Sequence, residues 1–213
     1  MINKNNLKKI NEEIDNQVIV AATKYVGVEA IKELVDLNIT NIGENRIDAF
    51  LEKYQVLHDL DITWHFIGHL QSKKVKKVIN KIDFLHSLDR ISLADEIQKH
   101  RKLPIKCFLE VNISDEQSKY GLNVSDVYSF CEKLQSYDKI HIVGLMGMAM
   151  LTEDETEIEA EFSKLVDLKS KLNKEFKLDL KYLSMGMSND YKIAIKCGAT
   201  HLRLGSILFR NEE

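Results

Sequence analysis

The sequence predicts an α/β protein folded as a single eight-stranded parallel (β/α)₈ barrel of the TIM type. Short β-branched apolar runs alternate with longer segments of helical period, as they do in parallel sheets with helical crossovers. Eight such runs occur in 213 residues, near the short end of the range for this fold. No Pro- or Gly-rich linker divides the chain, so we expect one domain over residues 1–213. A doubly wound open sheet is the competing arrangement.

The first half of the chain contains an opening helix over residues 4–15 and four strand-helix units. The run Val18 to Ala22 has the composition of a strand buried on both faces. The helix after it places Ile31 and Leu34 on one face. Helical spacing of apolar residues also follows the other runs. The four predicted strands are residues 18–22, 39–42, 62–67 and 84–86.

Four more strands are predicted in the second half, at residues 105–111, 140–145, 180–183 and 201–204. Pro104 cannot take part in a sheet ladder, so it marks the entry to the first of these. The segment Thr152-Glu-Asp-Glu155 fits a capping box at the start of a long helix. Ser188 fits the cap of the last helix between two strands, and Gly198 fits its end.

Composition excludes several classes of partner. Thirty basic and 33 acidic side chains give a formal charge of -3 and a pI near 6.2, so no overall field attracts nucleic acid or an anionic membrane. The first 16 residues do not resemble a signal peptide, and no run reaches the about 20 apolar residues of a spanning helix. We therefore expect a cytoplasmic protein with a small-molecule partner. Three widely spaced cysteines, Cys107, Cys131 and Cys197, indicate buried thiols without a disulfide or a metal site.

Polar residues follow the predicted strands, at positions that ring one face of a barrel. Lys24 follows the first strand. The turns after the seventh and eighth strands contain glycines and small hydroxyls, Ser188, Gly205 and Ser206 among them, which is the composition of a phosphate cradle. A plain helix cap at Ser188 and ordinary turn chemistry at Gly205 remain open as alternatives.

A lysine near a phosphate cradle suggests a Schiff base with a phosphorylated aldehyde. Pyridoxal 5′-phosphate (PLP) supplies both groups. Arg203, in the last strand, would lie beside the first strand and could donate to the pyridine nitrogen. Because arginine keeps its proton, that nitrogen would stay neutral and the ring would be a weaker electron sink. A solvated side chain is the alternative for Lys24.

Several stretches of the chain together resemble a known family. They are Thr23-Lys24, Gly43-Glu-Asn-Arg46, Trp64-His-Phe-Ile-Gly-His-Leu-Gln-Ser72, Ser184-Met-Gly-Met-Ser-Asn-Asp190 and Arg203-Leu-Gly-Ser206. The chain is similar, over residues 18–209, to the pyridoxal phosphate homeostasis proteins, which have the alanine-racemase-like N-terminal domain. That resemblance implies a barrel of PLP fold-type III.

The resemblance also implies roles for residues. Lys24 would form the internal aldimine, Ser188 and the Gly205-Ser206 turn would hold the phosphate, and Arg203 would face the pyridine nitrogen. Further positions that match the cofactor site or its wall are Asn45, His65 and Met185. The chain departs from the family where a second lysine often follows, at Val26, and at Lys73 and Arg210. The role of Lys119 stays open.

Two other sites are weaker interpretations. His65 and His69 have a zinc-binding spacing but flank a strand end, so we expect no metal. The run Lys73-Lys-Val-Lys-Lys77 fits a solvated helix face better than a nucleic-acid patch.

Three functions are compatible with these residues. The first is a non-catalytic carrier that buffers PLP or delivers it to PLP-dependent apo-enzymes, and we expect it to be a monomer. The second is a PLP-dependent racemase, which needs a second base that two-domain racemases take from an additional domain or subunit, and which we expect this chain to lack. The third is a cofactor-free Schiff-base aldolase.

Overall fold

The computed structural model describes residues 1–114 and 120–209. Its strands are β1 (Val18–Ala22), β2 (Asn41–Glu44), β3 (Thr63–Phe66), β4 (Phe84–Leu88), β5 (Ile105–Asn112), β6 (Leu122–Asn123), β7 (Ile140–Met146), β8 (Tyr182–Ser184) and β9 (His201–Leu204). Its helices are α1 (Lys4–Glu13), α2 (Val28–Asp36), α3 (Ile47–Leu57), α4 (Val75–Val78), α5 (Ile91–His100), α6 (Val127–Leu134), α7 (Glu155–Phe176), α8 (Tyr191–Lys196) and α9 (Ser206–Phe209). Short 3₁₀ turns cover Ser72–Lys74 and Val124–Asp126.

The strands form a closed parallel barrel in the order β4, β3, β2, β1, β9, β8, β7, β5, and the pairing of β4 with β5 closes it. The predicted barrel is therefore confirmed, and the open sheet is excluded. The two-residue strand β6 pairs with the end of β5 and was not predicted. It is too short to leave a periodic signal in the sequence.

Two predicted strands, β2 and β8, begin two residues later than expected, because their first predicted residues are hydrogen-bonded to the preceding helices. Ile39 N donates to Leu34 O at 2.9 Å, and Asn38 has a φ of 62°, so these residues end α2 and do not extend β2. The Asn173 side chain bonds both the N–H (2.9 Å) and the carbonyl (3.1 Å) of Leu180, which ties that residue to α7. In both cases a backbone group that a strand would need already has a partner.

The capping box predicted at residues 152–155 is wrong by two positions. Asp154 caps α7, and its Oδ1 accepts from the amides of Thr156 (2.9 Å) and Glu157 (3.3 Å). The Thr152 hydroxyl accepts instead from Asp154 N at 3.1 Å. Asp154 directly precedes the first residue of α7, so its carboxylate reaches the amides of the first turn.

Apolar side chains form two cores. The larger lies between the barrel and its helices, and the smaller lies inside the barrel, where Phe84, Phe108, Val143 and Met146 are buried. All three cysteines are free, Cys107 and Cys131 are buried as expected, and Cys197 is half-buried. Burial raises the pKa of the Cys107 thiol to about 12. No helix within residues 1–114 and 120–209 has the length and apolarity to cross a membrane.

Candidate cofactor-binding site

Lys24 occupies a tight turn at the carboxyl end of β1. The amide of Val26 donates to the carbonyl of Thr23 at 3.1 Å, which makes Lys24 and Tyr25 the two central residues of the turn. The Lys24 side chain is exposed, and its Nζ lies 4.7 Å from the centroid of the Tyr25 ring. The turn therefore presents an accessible amine at the mouth of the barrel.

A buried ion pair anchors this turn from behind. Lys53, on α3, donates from Nζ to the Thr23 carbonyl at 2.7 Å and also pairs with Glu44 Oε1, while the Thr23 hydroxyl donates to the same Oε1 at 2.6 Å. Glu44 is fully buried and Lys53 nearly so. The buried position of Lys53 was not predicted, because a single lysine on an amphipathic helix gives no signal that it faces inward.

The residues predicted to form a phosphate cradle lie together, but in a different local geometry from the one expected. Ser188 does not cap a helix: α8 begins at Tyr191, with Asp190 as its N-cap residue. The Ser188 Oγ instead accepts from the amides of Gly205 and Ile207, each at 3.3 Å. The reason is that Asp190 Oδ1 holds the amide of Met187 and folds the loop so that Ser188 faces β9.

Glycine conformations and packing bring this cradle next to β1. Gly186 has a φ of 91°, and a Cβ there would lie 2.6 Å from the Ala194 Cβ, so the loop needs glycine. A Cβ built on Gly205 would lie 3.5 Å from the Ala22 Cβ, two residues before Lys24. Ser206 is the first residue of α9. The structure therefore places the cradle residues beside the end of the strand that carries Lys24.

Arg203 lies in the strand next to β1 and pairs in register with Val20. Its guanidinium is buried and donates from Nη1 to Ser184 Oγ at 2.8 Å and from Nη2 to Gly147 O at 3.1 Å. Burial lowers the pKa of Arg203 to about 10, which still leaves it a cation at neutral pH. Both hydrogen-bonded partners are neutral, so its charge is available to a ligand.

His65 belongs to the barrel interior, beneath the mouth. Its Nδ1 lies 2.9 Å from His86 Nε2 and its Nε2 lies 2.9 Å from Asn41 Oδ1. The ring stacks on Phe84 at 4.6 Å with an interplanar angle of 4°. Burial lowers the pKa of His65 to about 3, so the ring is neutral. His65 connects to Arg203 through the side chains of His86 and Ser184.

Three buried side-chain oxygens have no hydrogen-bond partner among the described residues, Glu44 Oε2, Asn45 Oδ1 and Glu110 Oε2. Buried polar atoms are normally satisfied, so such atoms indicate a polar ligand. Burial raises the pKa of Glu110 to about 7, and the nearby Asp89 charge adds to this. Glu110 was not predicted as a site residue. Its one signal in the sequence is a carboxylate within an apolar strand.

Not every predicted residue joins this group. The Met185 side chain is fully buried in the core between the barrel and its helices, so it is not brought to the mouth. Lys119 and Arg210 lie outside the described residues. His69 stacks on Tyr120 at 4.3 Å, whereas His65 bonds to His86, so the two do not converge on one point. No group of three or more potential metal ligands occurs in the part of the chain that the structure describes.

The arrangement fits PLP on structural grounds. It offers an accessible amine, a hydroxyl that two amides after β9 hold in place, a guanidinium with neutral partners, and three unpartnered buried oxygens. An aldehyde, a phosphate and a heterocyclic nitrogen are the ligand groups that match the first three.

Comparison with known proteins agrees with this description. Residues 3–212 match the family described as "Alanine racemase, N-terminal domain". Among curated proteins, the "Pyridoxal phosphate homeostasis protein" of Aquifex aeolicus (strain VF5) is 39% identical over 194 residues, covering 90% of this chain and 85% of that protein. The protein of the same name from Schizosaccharomyces pombe is 34% identical over 201 residues, covering 91% and 84%.

Solved structures show the same fold. PipY of Synechococcus elongatus PCC7942 with PLP bound has a TM-score of 0.89 and 29% identity, covering 97% of this chain and 99% of that one. An alanine racemase of Clostridium difficile 630 has a TM-score of 0.80 at 16% identity and shares the fold over 98% of this chain and 56% of its own. The chain therefore belongs to the alanine racemase N-terminal-domain family and, within it, to the pyridoxal phosphate homeostasis proteins.

Proposed function

We propose that this protein binds PLP covalently through Lys24 and holds it for buffering or delivery, without turning over a substrate. The observation that carries the proposal is the placement of three polar groups on neighbouring elements: the Lys24 amine in the turn after β1, the Arg203 guanidinium in the adjacent strand β9, and the Ser188 hydroxyl, which contacts the turn after β9. The PLP-bound structure of PipY and the names of the curated relatives support the same ligand.

Each residue has a distinct role in this proposal. The Lys24 amine condenses with the aldehyde and releases one water, which makes a reversible tether. The Ser188 hydroxyl and the Gly205-Ser206 turn hold the phosphate. Arg203 donates to the pyridine nitrogen and keeps its own proton. PLP itself supplies an electron sink, and that sink is weaker when its nitrogen is not protonated.

The finer biological setting belongs to the same proposal. A protein that holds PLP reversibly can pass it to PLP-dependent apo-enzymes, which we take as its partners. We also propose that it is a monomer in the cytoplasm. The charge balance favours neither nucleic acid nor an anionic membrane surface as a further partner. Asn45 is proposed to line the ligand, since its Oδ1 lacks a partner among the described residues. His65 is proposed to act beneath the ligand, and Met185 to support the loop from the core.

The test is reconstitution with PLP followed by absorption spectroscopy and borohydride reduction. We expect a visible Schiff-base band, and a reduced adduct on the peptide that contains Lys24. The Lys24→Ala variant should lose both, whereas Lys32→Ala, which removes an exposed lysine of α2, should keep both. A wild-type protein that stays colourless, or an adduct on another lysine, would contradict the proposal.

Racemisation is the second candidate, and one observation favours it. The reaction needs proton transfer on both faces of the substrate, and burial raises the pKa of Glu110 near the range that suits a general acid or base. An assay of amino-acid enantiomers with excess PLP separates the two functions. Sustained turnover that is lost in Lys24→Ala and Glu110→Gln would replace the carrier with a racemase. Binding of a sugar phosphate to a colourless protein would instead favour the aldolase.

A further inference from the structure

A row of hydrogen bonds crosses the barrel interior from Arg203 to Asn41, the first residue of β2. Arg203 Nη1 lies 2.8 Å from Ser184 Oγ, and Ser184 Oγ lies 2.8 Å from His86 Nδ1. His86 Nε2 lies 2.9 Å from His65 Nδ1, and His65 Nε2 lies 2.9 Å from Asn41 Oδ1. The row links four strands, β9, β8, β4 and β3, to the start of β2. We call it the interior relay.

The Asn41 end of the interior relay fixes the proton positions when both rings are neutral. The Asn41 carbonyl oxygen can only accept, so His65 carries its proton on Nε2 and its Nδ1 is an acceptor. His86 then donates from Nε2 to His65 Nδ1 and accepts at Nδ1 from the Ser184 hydroxyl. The Ser184 oxygen in turn accepts from Arg203, which can only donate. Both neutral rings are therefore Nε2–H tautomers.

The surroundings of the two rings favour the neutral state. His65, His86 and Ser184 are fully buried, and burial is the main cause that lowers the pKa of both rings. The charge of His201 lowers both further, with that of Lys106 acting on His65 and that of Arg203 acting on His86. A proton added to His86 Nδ1 would displace the Ser184 hydroxyl proton from that nitrogen. It would also place a second positive charge beside the guanidinium.

Arg203 needs such a support because its neighbourhood contains competing carboxylates. The charges of Asp190 and Glu110 both stabilise its cationic form, yet neither carboxylate forms an ion pair with it among the described residues. The bonds that hold it go to a hydroxyl and to the Gly147 carbonyl. A guanidinium without the Ser184 bond would be free to turn towards either carboxylate.

We propose that His86 and His65 are positioning residues that act through Ser184 to aim the Arg203 guanidinium at its ligand. The inference deepens the proposed function and rests on it for the identity of the ligand. Buried polar networks rigidify a core when every member is satisfied, and this relay is satisfied from end to end. Apolar rings could fill the same space, as Phe84 and Phe108 do beside it. The polar row therefore has a role beyond packing.

The first test needs no ligand. Long-range proton–nitrogen NMR correlations on the ¹⁵N-histidine-labelled protein, assigned with His65→Phe and His86→Leu variants, report which ring nitrogen carries the proton. We expect the Nε2–H tautomer for both rings at pH 7. An Nδ1–H tautomer or a charged ring at either position would break the required donor order and overturn the inference.

The second test measures binding of two probes, PLP and 1-deaza-PLP, in which a CH group replaces the ring nitrogen. Wild type should prefer PLP, because only PLP gives Arg203 an acceptor. We expect this preference to fall about five- to tenfold in His86→Leu and by a similar factor in Ser184→Ala. The Ser184→Ala change removes a hydroxyl and nothing else. Leu85→Ala, on the opposite face of the same strand as His86, should destabilise the protein and keep the preference.

The outcomes separate this inference from the proposed function. Failure of wild type to bind either probe would remove the proposed function and the inference with it. Tight binding of both probes without a preference would leave the carrier function intact and overturn the role of the relay. Full preference retained in both relay variants would also overturn it.

Discussion

The Nζ atom of Lys53 donates a 2.7 Å hydrogen bond to the backbone carbonyl of Thr23, the residue before Lys24. That carbonyl also accepts from Val26 N, so one oxygen both closes the turn and ties it to α3. Glu44 balances the charge of Lys53 and accepts from the Thr23 hydroxyl. The position of the exposed amine of Lys24 thus depends on a pair of charges that lie behind it.

We predict that Lys53→Met lowers the free energy of unfolding by about 3 to 5 kcal/mol, because it leaves the Glu44 carboxylate buried and uncompensated. Urea denaturation measures this loss. The double variant Glu44→Leu/Lys53→Met should lose less than the single one, since it leaves no buried charge. The control is Lys32→Met, which breaks an exposed 3.0 Å pair with Glu29 and should change stability by less than about 0.5 kcal/mol. Equal losses in these three variants would contradict the role of the buried pair.

Ser188→Ala should weaken retention of PLP by about 1 to 3 kcal/mol, because the cradle loses its hydroxyl donor. Calorimetric titration of the apo-protein measures the change. The same titration with pyridoxal, which lacks the phosphate, should show no difference between variant and wild type. Ser170→Ala, on the exposed face of α7, is the matched control. A loss that is equal for both ligands would place the phosphate elsewhere.

Glu110→Gln should change how stability depends on pH. Burial raises the pKa of Glu110 from 4.5 to about 7, so its protonated form favours the folded state and this contribution is lost as pH rises from 4.5 through 7. Glutamine cannot ionise, so the variant should match wild type near pH 4 and exceed it at pH 8 by up to about 3 kcal/mol. Thermal unfolding across this range is the measurement, with the exposed Glu52→Gln as control. A constant difference at all pH values would show that ionisation is not the cause.

The interior histidines should make the protein sensitive to acid. Burial lowers the pKa of His65 to about 3 and that of His201 to about 4, from 6.5, so the unfolded chain binds these protons first and stability falls as pH drops below 6.5. His65→Phe should reduce the slope of unfolding free energy between pH 6 and 4.5 by about 1.4 kcal/mol per pH unit. Phenylalanine can keep the stack on Phe84. His141→Phe, at an exposed position, should retain the wild-type slope.

The barrel and most of its strands could be predicted from the sequence, because a strand that is buried on both faces appears as a continuous apolar run. The edges of β2 and β8 could not, since Ile39 and Leu180 are equally apolar whether they extend a strand or finish a helix. Their state depends on the hydrogen-bond partner of the backbone amide, which is the Leu34 carbonyl in one case and the Asn173 side chain in the other. The same limit explains Ser188, whose partners lie 17 and 19 residues away.

Local residue patterns were enough to predict the fold, the family and the residues proposed for the mouth, because each of these leaves a pattern of neighbouring residue types. The position of Lys53 behind Lys24, and the connection of His65 to Arg203 through His86 and Ser184, are visible in the folded chain alone. Each of these hydrogen bonds joins residues that are 19 to 98 positions apart in the chain. Their geometry depends on closure of the barrel, which no local pattern encodes.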